Sequence, residues 1–346
     1  MRKAKRQLVA VLLVLLMSAL ALPVNAQDGE PVIQPQPCEE PGQLTMWVWD
    51  EAWAEIIGAS IDQWAAEYCP GAEVDLQVQP WGQYWDLLQT NAAGGDLPDV
   101  FNMSQPFFYF YASNDVLLDL QPYWDQYGVD TTVWGSGMVD PYRWGEAGDL
   151  YAAPVNWDTI AIFYNKDMFD AAGLEYPSAG WTWDDFAAAA EALTNADEDI
   201  YGAEVYLEFQ AGYPNWIAAT GTTPVVEAGR ARCTLADEGS IEALTFLQNL
   251  YQQGYMPSVS IVGSTSPDDA FNLFASGRIA MVAGGSWKLP VAFEEVPFNW
   301  DVVQLPAHPE TGLSRSILHA VRLDYCLSSA ASGDLVASDS ADSTGP

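Results

Sequence analysis

The chain has 346 residues, with 47 acidic side chains against 12 Lys and Arg, for a net charge of −35. That excess of negative charge excludes nucleic acid and anionic membrane surfaces as partners, and it disfavours an anionic ligand outside a local basic pocket. Only 17% of residues are charged and 49% are hydrophobic, the composition of a globular chain and not of a disordered one.

Residues 1–26 read as a secretion signal. Arg2, Lys3, Lys5 and Arg6 precede a run from Leu8 to Leu22 in which only Ser18 is polar, and Ala26 supplies a small residue at the cleavage point. The run is short of the ~20 residues that span a bilayer, so cleavage and export to the periplasm or cell exterior are expected. Residues 27–42 are polar and proline-rich, a flexible leader. Export permits disulfides. Cys38, Cys69, Cys233 and Cys326 allow several pairings, with Cys38–Cys69 favoured because both flank the first strand–helix unit. His308 and His319 are isolated, so no zinc constellation is visible. Asn195-x-Asp197-x-Asp199 lacks the glycine and closing glutamate of a calcium loop and reads as a solvated turn. No cofactor is expected.

Gln43 to Trp49 alternates as a strand, with Leu44, Met46 and Val48 on one face. Asp50 opens a helix to about Tyr68, whose Trp53, Ile56, Ile57, Ile61 and Trp64 share a face. Glu73 to Gln79 is a second strand, Tyr84 to Ala93 a helix, and Asp99 to Met103 a third strand. This is the β-α-β-α-β order of an open parallel sheet, whose ligands sit beyond the carboxyl ends of the strands. Two such ends carry polar residues: Trp49-Asp50-Glu51, and Asn102 with Ser104 and Gln105. Pro106 to Ala112 is an aromatic helix, mostly core.

Ile160 to Tyr164 is apolar on both faces, so this strand is buried on both sides. Asn165 caps the helix that follows and Gly173 ends it. Asn156, Trp157 and Asp158 stand at the start of the strand, behind Pro154, and make a rigid mouth suited to binding. Thr182 and Asp185 form a capping box for a helix over Trp183–Leu193, which makes Trp181 and Trp183 structural. A short strand over Tyr201–Leu207 is followed by helices from Tyr213 to Gly221, Leu235 to Gln253 and Asp268 to Ser276. Arg278 to Ala283 is a buried strand leading into Gly284-Gly285-Ser286-Trp287, and Trp300 to Pro306 is the last clear strand.

Tyr151-x-x-Pro154, Asp158-Thr159, Tyr164-Asn165-Lys166-x-x-Phe169-x-x-Ala172-Gly173-Leu174 and Trp181-Thr182-Trp183-Asp184-Asp185-Phe186 together resemble the family 1 extracellular solute-binding proteins, the maltose-binding type of ABC importer receptor. The resemblance runs over roughly residues 43–312. It implies a two-lobe periplasmic-binding-protein-like α/β fold with a ligand cleft: lobe 1 from residues 43–153 plus about 304–320, lobe 2 from 154–303, with a return crossing near 304–306. It also implies a monomer that delivers a sugar to a membrane permease. Aligned on the family's motifs, Asp50 and Glu51, next to Trp49, fall where the first-strand loop holds hydroxyls, Asn102, Ser104 and Gln105 fall on the third-strand loop, and Asp158 matches a hinge-side carboxylate. Trp216 and Trp287 fall at stacking platforms, with Tyr213 close by. Asp50 reads equally well as a helix cap. The pattern departs from the family at the end, where residues 321–346 have no helical period and read as a disordered tail left by truncation or a shifted reading frame.

Sugars need flat aromatic surfaces and planar hydrogen-bonding groups, and 15 Trp with 16 Tyr supply them in excess. Three functions compete: a receptor for a neutral mono- or oligosaccharide, a receptor for a polyamine or quaternary ammonium held by the same residue types, and a secreted glycoside hydrolase. No motif flags a catalytic carboxylate pair, so the chain is read as a receptor and not as an enzyme.

Overall fold

The computed structural model describes residues 41–155, 157–207, 209–223, 233–262, 267–316, 319–320 and 324–327. The expected signal segment, most of the leader with Cys38, Asn156 and residues 328–346 lie outside the described residues. The chain divides into two compact units, the first ending at Trp157 and resuming at Ala320, the second running from Asp158 to His319.

The first unit is built on the strands β1 (Gln43–Val48), β2 (Glu73–Val78) and β3 (Val100–Met103), all parallel, with β1 in register from Gln43↔Glu73 to Val48↔Val78. Helices α1 (Glu51–Tyr68) and α2 (Trp81–Gly94) make the crossovers, and α3 (Gln105–Ala112) follows β3. Alternation on β1 buries Leu44, Met46 and Val48 against Ile57, Ile61 and Trp64 of α1 and Tyr84 and Leu88 of α2. α2 starts three residues earlier than the apolar periodicity indicates. Pro80 sets the backbone at φ −54°, and its carbonyl accepts from the amides of Gln83 (2.8 Å) and Tyr84 (2.9 Å).

Residues 321–346 are not uniformly tail. Asp324–Leu327 forms a strand antiparallel to β3, with Cys326 opposite Phe101, so the sheet order is this strand, β3, β1, β2. A run of four residues is too short to show its period in sequence, and it gains its hydrogen bonds from an edge that β3 leaves open.

In the second unit β4 (Ile160–Asn165) is the central strand, antiparallel to both β5 (Met281–Gly285) and β6 (Trp300–Gln304). Its longer described helices are α4 (Lys166–Ala172), α5 (Trp183–Leu193), α6 (Tyr213–Ala219), α7 (Glu238–Gln252), α8 (Pro267–Ala275) and α9 (Leu289–Glu295). The Thr182–Asp185 capping box is present in both directions, and Trp181 and Trp183 are buried. The return crossing does not fall near 304–306. β6 lies along β4, the Ala307 amide donates to the Trp181 carbonyl (2.8 Å), and the Trp183 amide donates to the Ala307 carbonyl (3.0 Å). The second unit runs on to His319.

The expected strand over 201–207 is reduced to parallel bridges at Tyr201↔Ile279 and Glu204↔Val282. Within this stretch Gly202 lies against the main chain of α5, and a Cβ there would overlap the Ala190 carbonyl. Gly202→Ala should therefore destabilise the second unit by ~1–3 kcal/mol, the usual cost of overpacking, as read by chemical denaturation. An unchanged midpoint would mean that the helix has room to move.

Candidate functional site

In the first unit the parallel strands point their carboxyl ends at one edge of the sheet, and each end delivers an aromatic residue. Trp49 follows β1, Trp81 follows β2 and Phe107 follows β3. They meet in one cluster: Trp49 and Trp81 are edge to face at 5.1 Å, Trp81 and Trp85 at 5.2 Å, and Trp85 stacks on Phe107 at 3.8 Å with 10° between planes. Trp49 is buried, while Trp81, Trp85 and Phe107 are half-buried. Sequence reasoning marks the ends of β1 and β3 and misses that of β2, although Gln79-Pro80-Trp81 carries the same signal.

The polar residues expected at this edge divide. Asp50 is the cap of α1, its Oδ1 accepting from the Trp53 amide at 3.0 Å, so the capping alternative describes it. Glu51 is exposed in the first turn. Gln105 is half-buried at the start of α3, and Ser104 is fully buried before it. Asn102 is also fully buried; its carbonyl accepts from the Tyr84 hydroxyl at 2.7 Å, and its side-chain amide makes no hydrogen bond. A buried amide in that state costs ~1–3 kcal/mol and is not presented to a ligand in this conformation.

In the second unit the antiparallel register sets Ile160 opposite Gly285. The start of β4 and the end of β5 therefore lie together, which brings Asp158 to Ser286 and Trp287. The Ser286 hydroxyl donates to Asp158 Oδ1 at 2.6 Å, and the Ser286 amide donates to the Thr159 carbonyl at 2.9 Å. Trp287 is half-buried, and its six-membered ring lies across Gly285, where a Cβ would overlap it. One ring face is thus backed by main chain. Lys288 follows, buried, with Nζ 5.4 Å from the centre of the Phe271 ring. This corner sets a flat, half-buried indole next to a buried carboxylate and the hydroxyl that donates to it.

Trp216 does not join it as a platform. It is 2% exposed, stacked on Phe246 at 5.3 Å and flanked by Trp183 and Phe186, so both of its faces serve the core. Tyr213 is half-buried at the start of α6. Among the described residues no group of three or more His, Cys, Asp and Glu could hold a metal ion. Asn195 instead caps its own turn, accepting from the Asp197 amide at 3.2 Å. Cys69 is disulfide-bonded to a partner outside the described side chains, and Cys233 is a free, exposed thiol. No helix among the described residues is long and apolar enough to cross a membrane.

Sequence reasoning also misses Glu204, buried beside β5. Burial pushes its carboxyl up to about 8, against the hydrogen bond from the Tyr251 hydroxyl (3.0 Å), which lowers it. The signal was a single charge set between Ala203 and Val205 in an apolar run.

The family model of the bacterial extracellular solute-binding proteins matches residues 52–313. A putative binding protein of Brucella abortus is 24% identical over 251 residues, which are 69% of this chain and 57% of that protein. A galactooligosaccharide-binding protein of Bacillus subtilis is 24% identical over 241 residues, 68% of this chain and 53% of that one. The chain thus spans little more than half the length of these two relatives. An ABC substrate-binding protein of Listeria monocytogenes, solved in complex with cycloalternan, superposes with a TM-score of 0.71 at 26% identity, over 84% of this chain and 71% of that one.

The folded carboxyl of Glu204 holds a proton that the unfolded chain releases. Its stabilising effect is full below the ordinary value of 4.5 and is lost as pH rises to about 8. Glu204→Gln removes the titration. In denaturation series across pH, the stability of the variant relative to the natural chain should climb by a few kcal/mol, on the order of 1.4 for each pH step of one between those two values, and then level off. Parallel curves would mean that Glu204 ionises in the folded protein as it does in water.

Proposed function

Because the chain belongs to the bacterial extracellular solute-binding proteins, we propose that it is an exported receptor that captures a neutral mono- or oligosaccharide and passes it to the permease of an ABC importer. The observation that carries this reading is the corner of Asp158, Ser286 and Trp287. A pyranose presents a C–H face to an aromatic plane and hydroxyls at its rim. Trp287 supplies the plane, held flat by Gly285, and the buried Asp158, to which the Ser286 hydroxyl already donates, supplies a carboxylate acceptor at its edge. The ligands named for two of the relatives, galactooligosaccharide and cycloalternan, belong to the same chemical class.

A cage for a quaternary ammonium needs several ring faces turned on one point. Here one face of Trp287 is taken by main chain and the next residue is a buried cation, Lys288. The geometry therefore favours a neutral ligand. The receptor acts as a monomer and binds without turnover.

Aromatic contacts of this kind are worth ~0.5–1.5 kcal/mol beyond the area they bury, so Trp287→Ala should weaken sugar binding about 10-fold. Its melting temperature should change little, because the ring is half-buried. Unchanged affinity with a collapsed melting temperature would make Trp287 a core residue and remove it from the site. Oligosaccharides incubated with the protein should be recovered intact; steady release of smaller sugars would instead identify a hydrolase.

A further inference from the structure

Cys69 follows the last turn of α1, fully buried, and its sulfur is in a disulfide bond. Its amide donates to the Trp64 carbonyl at 3.3 Å and its carbonyl accepts from the Ala72 amide at 3.0 Å, so its main chain is fixed in the turn between α1 and β2. Three other cysteines could be the partner. Cys233 is a free, exposed thiol, which leaves Cys326 and Cys38.

The register of the sheet removes Cys326. It stands opposite Phe101 on β3, Phe101 opposite Trp47 on β1, and Trp47 opposite Gln77 on β2. Neighbouring strands are ~4.8 Å apart, so three spacings put Cys326 roughly 14 Å from Gln77. Glu73, which opens β2, lies back along that strand from Gln77 by roughly another 13 Å. The turn from Glu73 to Cys69, closed by the Cys69–Ala72 hydrogen bond, is too tight to make up the difference. A disulfide needs its two Cα atoms within ~7 Å.

The chain just before β1 runs beside that same turn. Pro41 lies against Gly71, where a Cβ would stand 3.5 Å from the Pro41 Cβ, and the Gly42 carbonyl accepts from the Glu73 amide at 3.0 Å. Cys38, outside the described residues, precedes Pro41 by a stretch that reaches about 10 Å when extended. Cys69 precedes Gly71 by two residues.

We propose that Cys69 is bonded to Cys38, and that this disulfide is a redox-sensitive clasp that closes β1 and α1 into one loop and holds the first unit together. The inference does not rest on the function proposed above. Forming the bond takes one hydrogen atom from each thiol and passes both to a disulfide oxidant, which leaves as two thiols. Closing a loop of about 30 residues removes conformations from the unfolded chain and leaves the folded one as it is. The loop holds β1, α1 and the Trp49–Asp50 junction between them, so reduction loosens the elements that β2 and β3 pack on. Cys233 and Cys326 remain thiols, and β4, in the other unit, is tied to no part of the loop by sheet pairing.

The test refolds the full chain with oxidised glutathione, alkylates the remaining thiols and cuts the chain without reduction. Trypsin cannot separate the two cysteines, because no Lys or Arg stands between them, whereas a protease specific for Glu cuts at Glu39, Glu51 and Glu67. One joined species carrying Cys38 and Cys69 is expected, parting on reduction, with Cys233 and Cys326 alkylated. Amide exchange is then followed with and without dithiothreitol. Protection in β1 and α1 should fall at least ~10-fold on reduction, while that in β4 should hold. Oxidised Cys38→Ser should match the reduced natural chain. A joined species of Cys69 with Cys326, with Cys233 or with a second copy overturns the pairing, as does alkylation of Cys69. Protection in β1 and α1 that reduction leaves unchanged, or an equal loss in β4, overturns the clasp. Should Cys38→Ser fail to fold, the reduced natural chain decides alone.

Discussion

The antiparallel register of β4 with β5 is the constraint from which the second unit follows. Pairing Ile160 with Gly285 puts the first residue of one strand beside the last of the other. Asp158 and Ser286, 128 residues apart in the chain, then share one corner, sealed by the hydrogen bond between them. A slip of one residue would turn every side chain of β4 to the opposite face. The strand tolerates no such slip in its neighbours, because Gly284 and Gly285 must admit the Phe163 ring and the Trp287 ring closely. The same glycines that let the sheet close around Phe163 let the indole lie flat on the main chain.

The first unit solves a related problem with parallel strands. Its three carboxyl ends come to one edge because the crossovers through α1 and α2 return the chain each time to the same starting side. Aromatic residues placed just after each strand are then forced into contact, and five rings interlock there at centroid distances between 3.8 and 6.2 Å.

Local chemistry was legible in the sequence wherever it depended on near neighbours. The apolar run of β4, the Thr182–Asp185 box and the caps at Asp50 and Asn165 all follow from residues within a few positions of one another. The pairing of Asp158 with Trp287 was half legible, since each stood at a strand end but only the register joins them. Trp216 misled because a tryptophan on a helix gives no sign of which distant rings cover it; Trp183 and Phe246 arrive from α5 and α7. The return crossing near 304–306 came from the family resemblance alone, whereas the bonds that retain Ala307 come from Trp181 and Trp183. Glu204 was invisible for the same reason: its burial is a property of the assembled unit.

The central claim is a receptor for a neutral sugar, and a thermal-shift screen against neutral oligosaccharides, monosaccharides and polyamines addresses it most directly. A ligand that binds only the folded chain stabilises it by ~2.7 kcal/mol at 100 times its dissociation constant, enough to move the melting temperature by a few degrees. The account predicts a saturable rise with at least one neutral sugar and none with the polyamines. A rise with polyamines alone would contradict it.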